Sequence, residues 1–302
     1  SKPGVETAGA ARPSQLKLET PERKRLVQAV ESTAALESYE FEFSLTLPTT
    51  PGIPDDVTFG GSGAIDPQNE RFAMTMDFTQ FFAALAAAEN ADADELALMQ
   101  SFLGDDPMEV RYVDGVTYIN WALFGMLLGA DSKWIAFEDD SSANAFDSAS
   151  GFGAGSLASP QEAIEFLEDV WGVEEVGRET IRGVETTHYR GVIDFEALLS
   201  ELDAAQLAEL ESELGGASLG EVFGDFPIEV WIDDDDVMRR FTMEMDFSNF
   251  GAAGRSAEDI VGSMLMSYEF FNVGGDISIV APPASEVSQV EDSFLDGFNL
   301  AS

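Results

Sequence analysis

The stretch Arg71–Phe81, RFAMTMDFTQF, returns at Arg240–Phe250 as RFTMEMDFSNF. In both copies large apolar side chains take every second position: Phe72, Met74 and Met76, then Phe241, Met243 and Met245. A period of two marks a strand with one buried face. Arg71, Thr75, Arg240 and Glu244 then belong to the opposite, wetter face. A second echo sets Pro107-Met-Glu-Val against Pro227-Ile-Glu-Val. The chain therefore reads as two versions of one unit, about 20–138 and 159–285, each a helix, a strand meander and a helical excursion. Joined edge to edge, the two sheets would form one curved sheet and remove two exposed edges.

Working outward, the same alternation runs through Ser38–Leu47, where Tyr39, Phe41, Phe43, Leu45 and Leu47 face one way. Further strands are expected at Val57–Ile65, Met108–Val113, Val116–Asn120, Lys133–Phe137, Val173–Glu179, Val184–Val192, Ile228–Asp233, Met238–Phe247, Met264–Phe271 and Asp276–Val280. Asp114-Gly115 reads as a primed hairpin turn and Asp233–Asp236 as another tight, solvated tip. Thr20, Pro21 and Glu22 signal a helix start. Ser159, Pro160 and Glu162 signal a second, with Ile164, Leu167 and Trp171 as its apolar face. Helices are also expected at about 196–214 and 79–102. Residues 1–19 read as a flexible tether, 139–158 as a low-complexity join and 286–302 as a tail.

Composition removes several function classes. The 302 residues hold 15 Lys+Arg against 57 Asp+Glu, a net charge of −42. Phosphate neutralisation needs clustered Lys and Arg, so nucleic-acid binding is not expected. The chain has no cysteine and one histidine, His188, which argues against thiol chemistry, Cys-ligated metals and His-clustered metal sites. His188 lies inside an expected strand without a nucleophile elbow, and reads as a strand histidine pairing across the sheet. The Asp233–Asp236 run lacks the spacing of a calcium loop. Gly151-Phe-Gly-Ala-Gly follows no strand and lacks Lys, so it reads as linker. Neither catalytic residues nor a metal or cofactor is expected, and no stretch is long and apolar enough for a membrane-spanning helix.

The apolar faces say more. Seven of the ten methionines take the inward phase of expected strands: Met74, Met76, Met108, Met243, Met245, Met264 and Met266. Methionine adapts to irregular space. A wide sheet face lined by methionine and phenylalanine suits either a packed core or acyl chains held under helices.

Gly183-Val-Glu-Thr-Thr-His-Tyr-Arg-Gly-Val-Ile-Asp194, Pro227-Ile-Glu-Val-Trp-Ile-Asp233, Met238-Arg-Arg240, Asp114-Gly-Val-Thr-Tyr118 and Lys133-Trp-Ile135 together resemble the LppX/LprG-like actinobacterial cell-envelope lipoproteins, related in fold to the LolA carriers. The resemblance spans about 20–285. It implies an α+β fold: a curved antiparallel half-barrel sheet of about eleven strands with helices on the concave face. It also implies a non-enzymatic lipid-binding or lipid-transfer protein, holding an acylated lipid or glycolipid in an apolar cavity. Expected lining residues are Phe43, Phe72, Met74, Met76, Met108, Tyr112, Phe241, Met243, Met245, Met264, Met266 and Phe270. A lipid-anchored Cys upstream of Ser1 would place a monomer on the outer face of the cytoplasmic membrane; without it the protein would be secreted. The alternative is a secreted structural or sensory surface protein with a fully packed core and no ligand.

Overall fold

Thr20 caps the first helix as its sequence suggests: its Oγ1 accepts from the Arg23 amide at 3.2 Å, and Pro21 follows at the first helical position. The structure is a computed structural model describing residues 20–48, 57–88, 107–122, 125, 132–138, 167, 170–193, 225–246 and 262–289. Helix α1 (Pro21–Ala34) buries Leu26, Ala29, Val30 and Thr33. It packs against strands β7 (Val170–Ile181) and β10 (Met238–Asp246). The Met238 amide donates to Thr33 Oγ1 at 3.0 Å, so α1 is tied to the sheet by a buried hydrogen bond as well as by apolar contact.

The remaining strands are β1 (Tyr39–Thr46), β2 (Thr58–Asp66), β3 (Arg71–Asp77), β4 (Met108–Val113), β5 (Val116–Asn120), β6 (Trp134–Glu138), β8 (Val184–Ile193), β9 (Phe226–Asp233), β11 (Ser263–Phe271) and β12 (Val287–Gln289). All belong to one sheet of 12 strands in the order β12-β6-β5-β4-β3-β2-β1-β11-β10-β9-β8-β7. The halves join at β1 and β11, which pair antiparallel from Glu40↔Phe271 to Thr46↔Leu265. Helix α2 (Thr79–Ala88) follows β3 and packs against β2.

Four expectations are corrected. The sheet has 12 strands rather than about eleven, and it is mixed, because β12 pairs parallel with β6. That strand lies in the segment that reads as tail. Asp276–Val280 alternates like a strand but is an extended strap, its carbonyls at Ile279 and Val280 taken by Arg71 and Arg111 instead of a ladder partner. Trp171 lies on β7, 38% exposed, and not on a helix face. Asp233 is not solvated: it is 3% exposed, accepting from the Asp235 and Val237 amides and from Arg239. The helices expected at 159 and 196–214, and α2 beyond Ala88, lie outside the described residues.

Candidate functional site

Cross-strand register fixes which side chains share a face, since directly opposed residues point the same way. One row runs Phe41–Gly63–Met74–Val110 over β1 to β4; the next runs Phe43–Gly61–Met76–Met108. On the other side of β1, Phe43 opposes Tyr268, then Phe241, then Val230. Leu45 opposes Met266, then Met243, then Ile228, and Met264 opposes Met245. Both copies of the repeated motif therefore put their Phe and Met residues on the same face, from strands that flank β1 symmetrically. Leu26, Ala29 and Val30 of α1 belong to the same buried cluster.

All twelve residues expected at the site lie on this face. Phe43, Met74, Met76, Met108, Phe241, Met243, Met245, Met266 and Phe270 are buried in one cluster. Phe72 and Met264 are half-buried against it, and half-buried Tyr112 opposes Phe72. The face is graded along the strands. Phe72, Phe41 and Phe270 lie toward one end. Met76, Met108, Met243, Met245, Met264 and Met266 gather toward the other, where β3 leads into α2.

The expected site residues Phe43, Phe72, Phe241 and Phe270 belong to an aromatic centre whose other members, Tyr268 and Phe41, the expected lining left out. Rings stack from Phe241 to Tyr268 (6.3 Å), Tyr268 to Phe43 (5.8 Å) and Tyr268 to Phe270 (6.3 Å), while Phe41 stacks on Phe72 at 6.2 Å. Tyr39 meets Phe270 edge-on at 5.8 Å, and burial pushes its hydroxyl well above the ordinary tyrosine range. The rings of Phe41 and Phe43 lie across β2, over Gly63 and Gly61. A Cβ on Gly63 would sit 2.5 Å from the Phe41 ring and 2.5 Å from the Ala73 carbonyl oxygen. The signal was available in Gly61-Ser-Gly63, two glycines on one face of a strand. A second cluster continues from Phe59 to Phe78 (5.5 Å) and Phe81 (6.0 Å), and from Phe78 to Trp121 (6.0 Å).

The opposite face is polar. Arg182, from the β7–β8 turn, bonds Glu269 at 2.6 Å, pairs with Glu42 and lies over the Phe271 ring at 4.1 Å. Arg240 bonds the same Glu269 at 2.8 Å. Burial works against ionisation of Glu269, but the hydrogen bonds from Arg182 and Arg240 prevail and hold its carboxyl below the usual range. His188 stacks on Trp231 at 4.3 Å, with Glu179 and Glu229 at 3.3 and 3.7 Å from its two nitrogens. It pairs across the sheet with Gly177 and Trp231, the strand setting its sequence suggests. Among the described residues no three His, Asp or Glu side chains gather as metal ligands, and no helix is long and apolar enough to cross a membrane.

No family model matches the chain. A stretch of 143 residues is 25% identical to an uncharacterized 31.2 kDa protein of the rplA-rplJ intergenic region of Streptomyces griseus, covering 46% of this chain and 42% of that protein. The chain thus matches less than half the length of that curated relative. Among solved structures, similar ones include the lipoprotein LppX of Mycobacterium tuberculosis (13% identity, TM-score 0.42, 86% of this chain and 98% of that one). LprF of Mycobacterium bovis is similar at 14% identity and TM-score 0.43, covering 86% of this chain and 96% of that one. A LolA superfamily protein of Nitrosomonas europaea gives 7% identity and TM-score 0.25, covering 87% and 96%. These neighbours are of the kind the sequence motifs resemble. At scores this low the likeness carries neither ligand nor partner over to this chain.

Proposed function

We propose that the protein is a non-enzymatic lipid carrier of the cell envelope that holds acyl chains against its methionine-rich sheet face. The observation that carries the reading is the gathering of Met76, Met108, Met243, Met245, Met264 and Met266 at one end of a continuous apolar face. Thioether side chains are unbranched and polarizable, so they repack around a flexible chain at little cost. In this reading the face is the concave side of the sheet, helices cover it, and an acyl chain enters from the methionine end. A lipidated Cys ahead of the described chain would hold the carrier at the membrane, and the monomer would shuttle an acylated lipid or glycolipid. Two or more acyl chains would be needed there, because a single one binds only marginally.

One observation favours the rival, a structural surface protein with a fully packed core. The Phe41 and Phe43 rings already fill the centre of the face over Gly63 and Gly61. Organic extraction of protein from its native source, followed by mass spectrometry, separates the two. The carrier releases acyl chains and, once stripped, takes up a fluorescent fatty acid. Protein that carries no lipid and takes up no acyl probe overturns the proposal.

A further inference from the structure

The polar face carries a groove that the lipid reading does not use. Its floor is set by register. One row runs Glu42–Ser62–Thr75–Glu109 across β1 to β4, and the next runs Glu40–Ala64–Ala73–Arg111. Small side chains on β2 and β3 thus lie between long ones on β1 and β4, which makes a trough about 14 Å across, three strand spacings. The Asp276–Val280 strap crosses above it through Ser278, Ile279 and Val280. Arg71 and Arg111 hold that strap by donating to the carbonyls of Ile279 (3.2 Å) and Val280 (3.3 Å). Between strap and sheet lies a cavity of about 540 Å³, within the size range of small-molecule sites.

The cavity has an apolar roof and an anionic wall. Ile279 is buried, while Val280 at its lip is 55% exposed. Three carboxylates, from Glu40, Glu42 and Glu109, line it against one guanidinium, from Arg111. Glu109 is engaged by Arg111 at 3.0 Å. Glu42 pairs with Arg182, which also holds Glu269. Glu40 has no hydrogen-bond or ion-pair partner among the described residues, although it is half-buried. A carboxylate that gives up part of its hydration in a walled groove is best satisfied by a cation that enters with it.

We propose that this groove is a binding site for a linear aliphatic polyamine. Glu40 and Glu42 stand two residues apart on one face of β1, about 7 Å along the strand, the span of a four-carbon diamine. One ammonium rests on Glu40 and the next on Glu42, where Arg182 keeps Glu269 as its other partner. The four methylenes between them run along β1 beside Ala64, and the chain then turns across Ser62 under the strap. A third ammonium reaches across the floor to the hydroxyl of Thr75 and to Glu109. The site is independent of whether the opposite face holds acyl chains.

Calorimetric titration of the full chain with spermidine at physiological ionic strength tests the proposal, since that salt screens loose surface attraction. Saturable one-to-one binding is expected, about tenfold weaker in Glu40→Gln, the loss of one charge-assisted contact. Ala73→Leu fills the trough without changing its charge and is expected to weaken binding as much; Ala64→Val replaces it if that variant does not fold. Glu244→Gln, an exposed carboxylate outside the groove, should leave affinity unchanged. The proposal is overturned by absence of binding, by equal effects of Glu40→Gln and Glu244→Gln, by full affinity in the filled variant, or by magnesium giving the same response as spermidine.

Discussion

Replacing Gly63 by Ala tests the packing at the centre of the sheet. The added Cβ would lie 2.5 Å from the Ala73 carbonyl oxygen and 2.5 to 2.6 Å from two carbons of the Phe41 ring. Ordinary contacts of this kind lie about 1 Å farther out. The ring can swing but the carbonyl cannot, because it belongs to β3, paired with β2 from Gly60↔Asp77 to Asp66↔Arg71. Relief therefore means parting two central strands. Overpacking of this kind costs about 2–3 kcal/mol. Loss of glycine's freedom in the unfolded chain returns about 0.4–1 kcal/mol. The net expectation is a destabilisation of about 1–2.6 kcal/mol. Gly177→Ala is the control: on β7, a Cβ there meets nothing within 4 Å, so it should be neutral or slightly stabilising. In urea unfolding followed by tryptophan fluorescence, the two midpoints should differ by about 1 M for an m-value of about 2–3 kcal/mol/M. Adding Phe41→Leu to Gly63→Ala should recover the ring's part of the loss and not the carbonyl's. Equal midpoints for Gly63→Ala and Gly177→Ala would refute the account of a glycine strip roofed by phenylalanines.

Phe41→Ala should cost about 3–5 kcal/mol in the same assay, because a fully buried ring leaves a cavity behind; if the face takes acyl chains, that variant binds a fatty-acid probe at least as well as the parent. Thr20→Ala should cost about 1 kcal/mol, read as a lower thermal midpoint, while Thr20→Ser is silent. Asp233→Ala leaves Arg239 and the Asp235 and Val237 amides without their buried acceptor and should cost about 3–5 kcal/mol in urea, with Asp233→Asn intermediate. Acid sensitivity follows from Glu269. Its carboxyl is depressed in the folded state, so its contribution is present above the unfolded carboxylate range and is lost as pH falls through the lower folded value. Stability measured from pH 6 down to pH 3 should therefore fall less steeply in Glu269→Gln than in the parent; an unchanged slope would contradict the Arg182 and Arg240 assignment.

Much of this was legible in the sequence, and the exceptions have physical causes. Alternation in the repeated motif fixed the strand phase, because burial of one sheet face selects every second residue. The seam between halves followed from the cost of open edges. The β12 strand was not legible: Val287-Ser-Gln is too short to show a period, and its parallel partner β6 is far away in sequence. Asp276–Val280 carries a strand's alternation without a strand's ladder, since Arg71 and Arg111 supply donors that no pattern on the strap itself reveals. Trp171 fits a helical spacing from Leu167 as well as a strand position, and pairing with Val192 decides between them. The twelve site residues were placed on one face by phase alone. Tyr268 and Phe41, fully buried at its centre, follow from the same phase, but their importance comes from neighbours on other strands.

The seam also has a history in each molecule's synthesis. Phe41, near the start of the chain, pairs with Phe270, near its end. Every other antiparallel neighbour in the sheet is reached by a far shorter excursion along the chain. While the ribosome or a translocation channel is still delivering the second half, β1 must wait with one side unpaired and a row of aromatic side chains bare. Glu40 and Glu42, on its other face, put negative charge along that waiting edge and discourage a neighbouring chain from pairing with it. The nascent first half should therefore be a client for a holding chaperone, and release from that chaperone should coincide with the emergence of β11 rather than with the completion of either half.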